Sequence, residues 1–526
     1  MPLELEDIPP EFNLASWVID RQLDEGRGQR TALVSGDTTV SYADLAALTN
    51  RAGHVIRAAG VRPGDRVLLA LSDGFEFVAA WYATIKIGAV TAEAYTFLQA
   101  KDIAYYLRYS RARLVVADAT TIERVREAAA DAHVDAVVLV VGVEETELRA
   151  GEVAWEAAVR EAPDTLEPEP TLRDDIAIWK FTTGSTGAPK AAVHTHSAPR
   201  LSAEWYGQQV LGLTADDVVL PVPKLFFGYA RDLATLFPFA VGGAGIVFPE
   251  RSTAERIFDL VERHRPTVLA TVPTMMQQML DLPGADEHDL SALRFCTSAG
   301  EALPAPLLGR WMERFGVEVL DGLGSSEVYH VYISQAPGRM RPGTIGRLVP
   351  GYTARLVGAD GADVGDGEDG ELWVQGATAA LMYWADRPKS LRTFAGDVVH
   401  TGDLLRRDED GYFTYRGRAD DLLKVGGIWV APAEVEQCLL DHAAVAEAAV
   451  AGVARDGLVL TCAYVVARPG HDPGEALADA LREHVKRTLS PHKYPREIVF
   501  LADLPKTGSG KIDRAAIRGL DGVTES

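Results

Sequence analysis

Cysteine is scarce in this 526-residue chain: three occur, Cys296, Cys438 and Cys462, far apart and without metal-ligand spacing. That excludes a disulfide framework and favours a reducing, cytoplasmic setting. Positive charge is in deficit. Against 75 Asp and Glu stand 52 Lys and Arg, a net charge of −23, so the overall field opposes nucleic acid and anionic membranes as partners. A few local lysines and arginines still suffice for a small anion. No uninterrupted apolar run reaches about 18 residues, so no transmembrane helix is expected. The acidic start "MPLELEDIPPEF" lacks the apolar segment of a secretory signal. Internal repeats and low-complexity tracts are missing too. What is there, 47% hydrophobic and 24% charged residues, describes a globular protein long enough for two or more domains.

The chain alternates two patterns. "SYADLAALTNRAGHVIRAAG" reads as an amphipathic helix with Ser41 as N-cap, apolar positions Leu45, Leu48, Ala52, Val55 and Ile56, and a stop at Gly60. Short apolar runs suited to buried strands begin at Arg66, Arg113, Ala136, Gly245, Thr267, Arg294 and Val317, mostly separated by helix-period stretches. This implies α/β layering with mostly parallel strands, whose ligands bind at the strands' carboxyl ends. The polar, Pro-rich stretch 161–175 reads as a connector between subdomains. After residue 418 the pattern changes to a hairpin, a helix near 432–441, two strands, a helix and a last strand. We therefore expect a large, multi-subdomain domain over 1–418 and a small α+β domain over 419–526.

Two glycine-rich loops carry a lysine. "FTTGSTGAPK" (181–190) follows the strand-like "IAIWKF". Its glycines and hydroxyls suit an anion-binding nest, but alone it reads equally as a turn ending in a solvated lysine. It also lacks the spacing of the common P-loop. "PKTGSGKIDR" (505–514) fails as a Walker loop as well, with Pro505 at the first glycine position and Ile512 where a hydroxyl is needed. Read alone, it is an exposed tail.

These loops do not stand alone. "TTGSTGAPK", "SAGEALP", "DGLGSSE", "GELWVQG", "HTGDL", "YRGRADDLLKVGG" and "LPKTGSGK" occur in that order along nearly the whole chain. Together they resemble the adenylate-forming superfamily of acyl-CoA synthetases, aryl-CoA ligases, peptide-synthetase adenylation domains and luciferases. "LFFGYARD", "SSEVYHVYIS", "GTIGRLVPGY" and "GGIWVAPAEVE" look most like its benzoate-CoA ligase branch. Amino-acid adenylation domains usually place an aspartate near position 227. Here Phe226, Phe227, Gly228 and Tyr229 precede the first acid, Asp232, and an uncompensated ammonium there would be costly. A flat, uncharged acyl group is expected instead.

The resemblance implies two steps, acyl-adenylate formation from ATP and transfer to a thiol, with Mg²⁺ and CoA as cofactors. It implies that Thr182, Thr183, Gly184, Ser185, Thr186, Gly187 and Lys190 cradle the departing phosphates. Glu327, after Ser326, would hold Mg²⁺. Gly300, Glu301, Asp321 and Gly322 would frame adenine, with Asp403 on the ribose and Arg418 beside ribose and phosphate. Lys511 would bridge carboxylate and nucleotide in the adenylation transition state. Asp420 matches the hinge of a mobile C-terminal domain, and Gly426 and Gly427 would line a pantetheine tunnel. The acyl pocket falls to Phe227, Gly228, Tyr229, Ala299, Gly324, His330 and Val331, with Gly228 leaving room for a ring substituent. His330 is read as lining, and a core histidine is the competing reading. Two departures from the family pattern, Ala191 after the loop lysine and Ser326 before the glutamate, leave the chemistry in place. Rival readings are a carrier-protein phosphopantetheine as acceptor, a short- or medium-chain fatty acid as substrate, and an inactive nucleotide-binding interaction protein.

Overall fold

Each apolar run singled out above becomes a strand, and the runs sort into two large sheets. The computed structural model describes residues 2–132, 136–182, 189–419, 423–425, 428–455, 458–489, 493–506 and 512–520. The first sheet has eight strands. Its parallel part runs Ile176–Thr182, Val90–Glu93, Arg66–Ala70, Leu114–Asp118, Val137–Val141 and Glu152–Ala154, with Lys190–Thr195 and Met382–Tyr383 added antiparallel at one side. The second has nine. Val319–Gly324, Phe295–Ala299, Val268–Thr271, Val218–Pro221, Ala244–Ile246 and Thr31–Ser35 lie parallel there, and antiparallel strands flank them. Burial on both faces explains why these strands read as continuous apolar runs rather than alternating ones.

The helix predicted after Ser41 spans Tyr42–Ala58, and Ser41 forms a reciprocal capping box with Asp44. A third sheet departs from the parallel expectation. Thr353–Val357, Asp369–Gln375, Phe394–Ala395, Val398–Arg407 and Phe413–Arg418 pair antiparallel.

The stretch 161–175 does not separate subdomains, because the strands before and after it belong to the same eight-stranded sheet. It lies along the Tyr42–Ala58 helix, where Arg57 pairs with Glu169 at 3.0 Å and Asn50 donates to the Asp164 carbonyl at 2.8 Å. Leu166 fills the space left open by Gly53. Pro-rich composition marks an extended coil but is blind to which elements that coil joins.

The C-terminal pattern holds as read: paired strands Leu423–Val425 and Ile428–Val430, helix Pro432–Leu440, strands Val445–Arg455 and Leu458–Ala467, helix Glu475–Thr488 and strand Glu497–Phe500. A further short helix, Arg514–Gly519, follows. Val435, Leu439, Val450, Val465, Leu481 and Val485 give this unit its own core. Glu434 ties it to the third sheet by pairing with Arg416 at 3.2 Å, and pairs within the unit with Lys493 at 2.5 Å. Among the described residues no helix is long and apolar enough to cross a membrane. The three cysteines are buried and free.

Candidate active site

Thr182 and Lys190 face each other as partners across an antiparallel pair. The lysine loop is therefore a hairpin connection, and its failure to match P-loop spacing follows. A Walker loop leads into a helix whose N-terminus holds the phosphate, whereas here the chain re-enters the sheet. Thr183, Gly184, Ser185, Thr186 and Gly187 lie outside the described residues. Lys190 Nζ stands 5.7 Å from the ring centroid of Tyr383.

Tyr383 links that lysine to Glu327. Its strand, Met382–Tyr383, adds to Lys190–Thr195, and its hydroxyl donates to Glu327 Oε1 at 2.7 Å. Burial and the Glu327 charge hold the phenol above its usual range, so it remains a donor. Glu327 sits in the single turn Ser326–Val328 just past the strand Val319–Gly324. Asp403 and Arg418 are partners on neighbouring strands, with Arg418 Nη1 3.1 Å from Asp403 Oδ1. The buried phenol of Tyr332 is raised by burial and then by the charges of Asp403 and Glu327. Tyr383 thus links Lys190 with Glu327, and Tyr332 feels the charges of both Glu327 and Asp403.

The residues expected to line an acyl pocket lie at or near the ends of neighbouring strands. Tyr229 donates or accepts at Thr297 Oγ1 over 2.7 Å, on the strand that ends at Ala299. Its ring stacks on His330 with centroids 5.7 Å apart. Phe227 packs against Phe226 and Tyr95 at 4.8 and 5.0 Å. His330 is buried, and Phe237 lies edge-on to it at 4.7 Å. Burial pushes His330 down to about 3, so the imidazole is neutral and donates from Nε2 to the Tyr229 carbonyl at 3.3 Å. Val331 is core and pairs with Gly324. A Cβ at Gly324 would lie 2.6 Å from the His330 carbonyl oxygen, so this glycine permits the tight hairpin. Gly228 does not leave room for a ring substituent as expected. A Cβ there would stand 2.8 Å from Lys180 Nζ: the lysine fills the space.

Gly300 has φ +89°, which suits a glycine, and Glu301 accepts from Thr274 Oγ1 at 2.7 Å. Asp321 and Gly322 pair with Ser298 and Ala299. Asp321 Oδ1 is buried and finds no hydrogen-bond partner among the described residues. Burial pushes its carboxyl from 3.8 up to about 8. The free folded protein therefore keeps a proton that the unfolded chain loses between those values. The stability this lends is full below about pH 4 and is lost as pH climbs toward 8. In thermal melts of the free protein, Asp321→Asn should flatten the fall of Tm over that range and stabilise most at pH 8. An unchanged slope would mean that the carboxyl is ionised in the fold.

Asp420, Gly426, Gly427 and Lys511 lie outside the described residues. The sequence reading missed Tyr383, Tyr95 and Lys180. Lys180 carried a signal, a charged residue inside an apolar strand that must find a partner. Tyr383 and Tyr95 carried none, since strand pairing and aromatic packing bring them in.

Two family matches cover most of the chain: AMP-binding enzyme over residues 19–384 and AMP-binding enzyme C-terminal domain over 434–511. The benzoate–CoA ligase of Thauera aromatica is 40% identical over 514 residues, 97% of this chain and 96% of that protein. The structure of the anthranilate CoA ligase AuaEII in complex with anthranoyl-AMP superposes with a TM-score of 0.94 at 35% identity, with 99% of each chain covered. A benzoate CoA ligase from Burkholderia xenovorans LB400 gives 0.88 at 39% identity, over 96% of this chain and 100% of that one. With its strand-end site and both matched regions, the chain belongs to the family of AMP-binding enzymes, the adenylate-forming ligases, and within it resembles the aryl-CoA ligases.

Proposed function

We propose that the protein is an AMP-forming aryl-acid ligase that converts benzoate or a substituted benzoate to its CoA thioester. In the first step a carboxylate oxygen bonds to the α-phosphorus of ATP, the bond to the β-phosphate oxygen breaks, and pyrophosphate leaves. In the second the CoA sulfur, its proton lost to solvent, bonds to the acyl carbon and AMP leaves with the electron pair of the broken C–O bond. Lys190, with the loop from Thr182 to Gly187, would hold the phosphates that depart. Asp403 would accept from the ribose hydroxyls, for which an ionised carboxylate is well suited, and Arg418 would lie alongside. Asp321, Gly322, Gly300 and Glu301 would frame the base. Lys511 would neutralise the carboxylate and the nucleotide as they meet. Swinging about Asp420, the domain from 419 onward would then withdraw Lys511 and bring Gly426 and Gly427 to the thiol's path.

Glu327 would hold Mg²⁺, which takes one or two carboxylates together with phosphate oxygens; when bound, the ion offsets repulsion between carboxylate and triphosphate. The single half-buried carboxylate beside a phenol donor fits that pattern.

The observation that carries the aryl reading is the wall of Phe226, Phe227, Tyr229 and His330, a surface of rings that offers no anionic partner of its own to an ammonium. Asp232, the first acid after this segment, is buried against Lys180 at 2.7 Å and Arg231 at 2.9 Å and is therefore not free to meet one. The test is pyrophosphate release with Mg-ATP across benzoates, cinnamates, fatty acids and amino acids, each with and without CoA. Turnover of benzoates that requires CoA is expected. Acyl-AMP that accumulates and stalls despite CoA would transfer the assignment to a carrier-protein thiol, and preference for alkyl acids would overturn the aryl class.

A further inference from the structure

The five consecutive carbonyls of the turn from Ser326 to His330 each accept a hydrogen bond. Ser326 O is met by His194 Nε2 at 2.6 Å, Glu327 O by Ala380 N at 2.8 Å, and Val328 O by Thr378 Oγ1 at 2.9 Å. Tyr329 O accepts from Lys180 Nζ at 2.6 Å and His330 O from Ser325 N at 3.3 Å. His330 N also donates to Val328 O at 3.0 Å, closing a γ-turn on Tyr329. Tyr329 stands at φ +73° and ψ −57°, a conformation that residues with a side chain adopt rarely and keep only where their surroundings over-determine it.

Lys180 is the one charged donor of those five. It is 5% exposed, lies 3.5 Å from the Tyr329 ring centroid and bonds Asp232 Oδ2 at 2.7 Å. Arg231 takes the other Asp232 oxygen at 2.9 Å and Glu93 at 2.5 Å, and Trp81 Nε1 donates to that same Glu93 oxygen at 2.6 Å. Two cations and two carboxylates make the buried set neutral. Burial brings the Lys180 ammonium down to about 8, so it is charged at neutral pH. An apolar side chain on this strand would avoid the cost of burying an ion. What the ammonium adds is a fixed, directional hold on one carbonyl of a strained turn. Gly228 completes the arrangement by leaving the lysine its space.

We infer that Lys180 is a positioning residue for acyl activation: fixed by Asp232, it holds the Tyr329 carbonyl and so sets Glu327, on one side of the turn, and His330, on the other, as a single unit. The inference rests on the roles proposed above for Glu327 and His330. It ties metal binding and acyl binding to a residue that touches neither ligand.

The test uses the full chain and two variants, Lys180→Met, which removes the charge, and Gly228→Ala, which keeps every charge but crowds the ammonium. Two readouts are taken on folded protein: the Mg²⁺ concentration that half-saturates the ATP-induced rise in Tm, and the KM for benzoate. Both should rise together by about tenfold or more, since a displacement of about 1 Å can cost up to about 10²-fold. A residue serving stability alone would lower Tm and leave both midpoints in place. The inference falls if either folded variant keeps both values within about twofold of wild type, or if only one value moves. If Lys180→Met does not fold, Gly228→Ala decides. Wild-type protein that turns over no benzoate would overturn the proposed substrate, and the Mg²⁺ midpoint alone would then decide the lysine's role. Wild-type protein with no Mg²⁺-dependent ATP shift would overturn the metal role of Glu327 and this inference with it.

Discussion

Glu327→Gln should lower Mg²⁺-dependent pyrophosphate release with benzoate by about 10²–10³-fold, the loss typical when one preorganised electrostatic contact to the developing charge is removed. The substitution keeps the shape and the hydrogen bond from Tyr383, which an amide oxygen accepts as well as a carboxylate does. It removes only the negative charge. Because the side chain is half-buried and the turn is held through its carbonyls, Glu327 O by Ala380 N and Ser326 O by His194, whatever the side chain, Tm should change little. Raising Mg²⁺ should restore part of the rate if the carboxylate acts on the ion. Tyr383→Phe separates the two parts of the pair. It deletes one donor worth about 1 kcal/mol, so its loss should stay below about tenfold. A Glu327→Gln enzyme that keeps more than about a tenth of the wild-type rate would sink the assignment, because the loss expected of that role is about 10²–10³-fold.

How much of this was legible before the structure differs by the kind of constraint. Strands Phe295–Ala299 and Val319–Gly324 were readable because burial on both faces writes them as apolar runs, and the glycine and carboxylate motifs at their ends followed. Asp403 and Arg418 were named separately, yet only the pairing of their strands makes them neighbours. Tyr383 reaches Glu327 because a two-residue strand adds to the edge of a sheet built almost 200 residues earlier, and no local pattern records such an addition. The stretch 161–175 misled because proline content reports stiffness, not connectivity. Gly228 misled for a related reason: a glycine announces that something needs room, and sequence alone does not say whether that is a ligand or a lysine from another strand. Asp420, Gly426, Gly427 and Lys511 rest on the resemblance, and of these only Lys511 falls within a matched region.

Asp232→Asn should cost about 3–5 kcal/mol of stability, the range for removing one partner from a buried charge set. Against burial, which raises it, Arg231 and Lys180 hold the Asp232 carboxyl below its usual range, so the folded protein contains it ionised at neutral pH. The amide would leave two buried cations, Lys180 and Arg231, to one carboxylate, Glu93, which already engages Arg231. Neither cation can reach water, since Lys180 is 5% and Arg231 1% exposed. A second substitution turns this into a test of sign. Lys180→Met on the Asp232→Asn background removes the surplus cation and restores neutrality around Arg231 and Glu93. The double variant should therefore be more stable than Asp232→Asn alone, with a coupling energy of about 1–3 kcal/mol between the two sites. Urea or thermal denaturation of the four proteins at pH 7 measures it. If the two losses simply add, the four charges do not behave as one neutral set, and the ammonium of Lys180 is not held by Asp232 in the way its 2.7 Å contact implies.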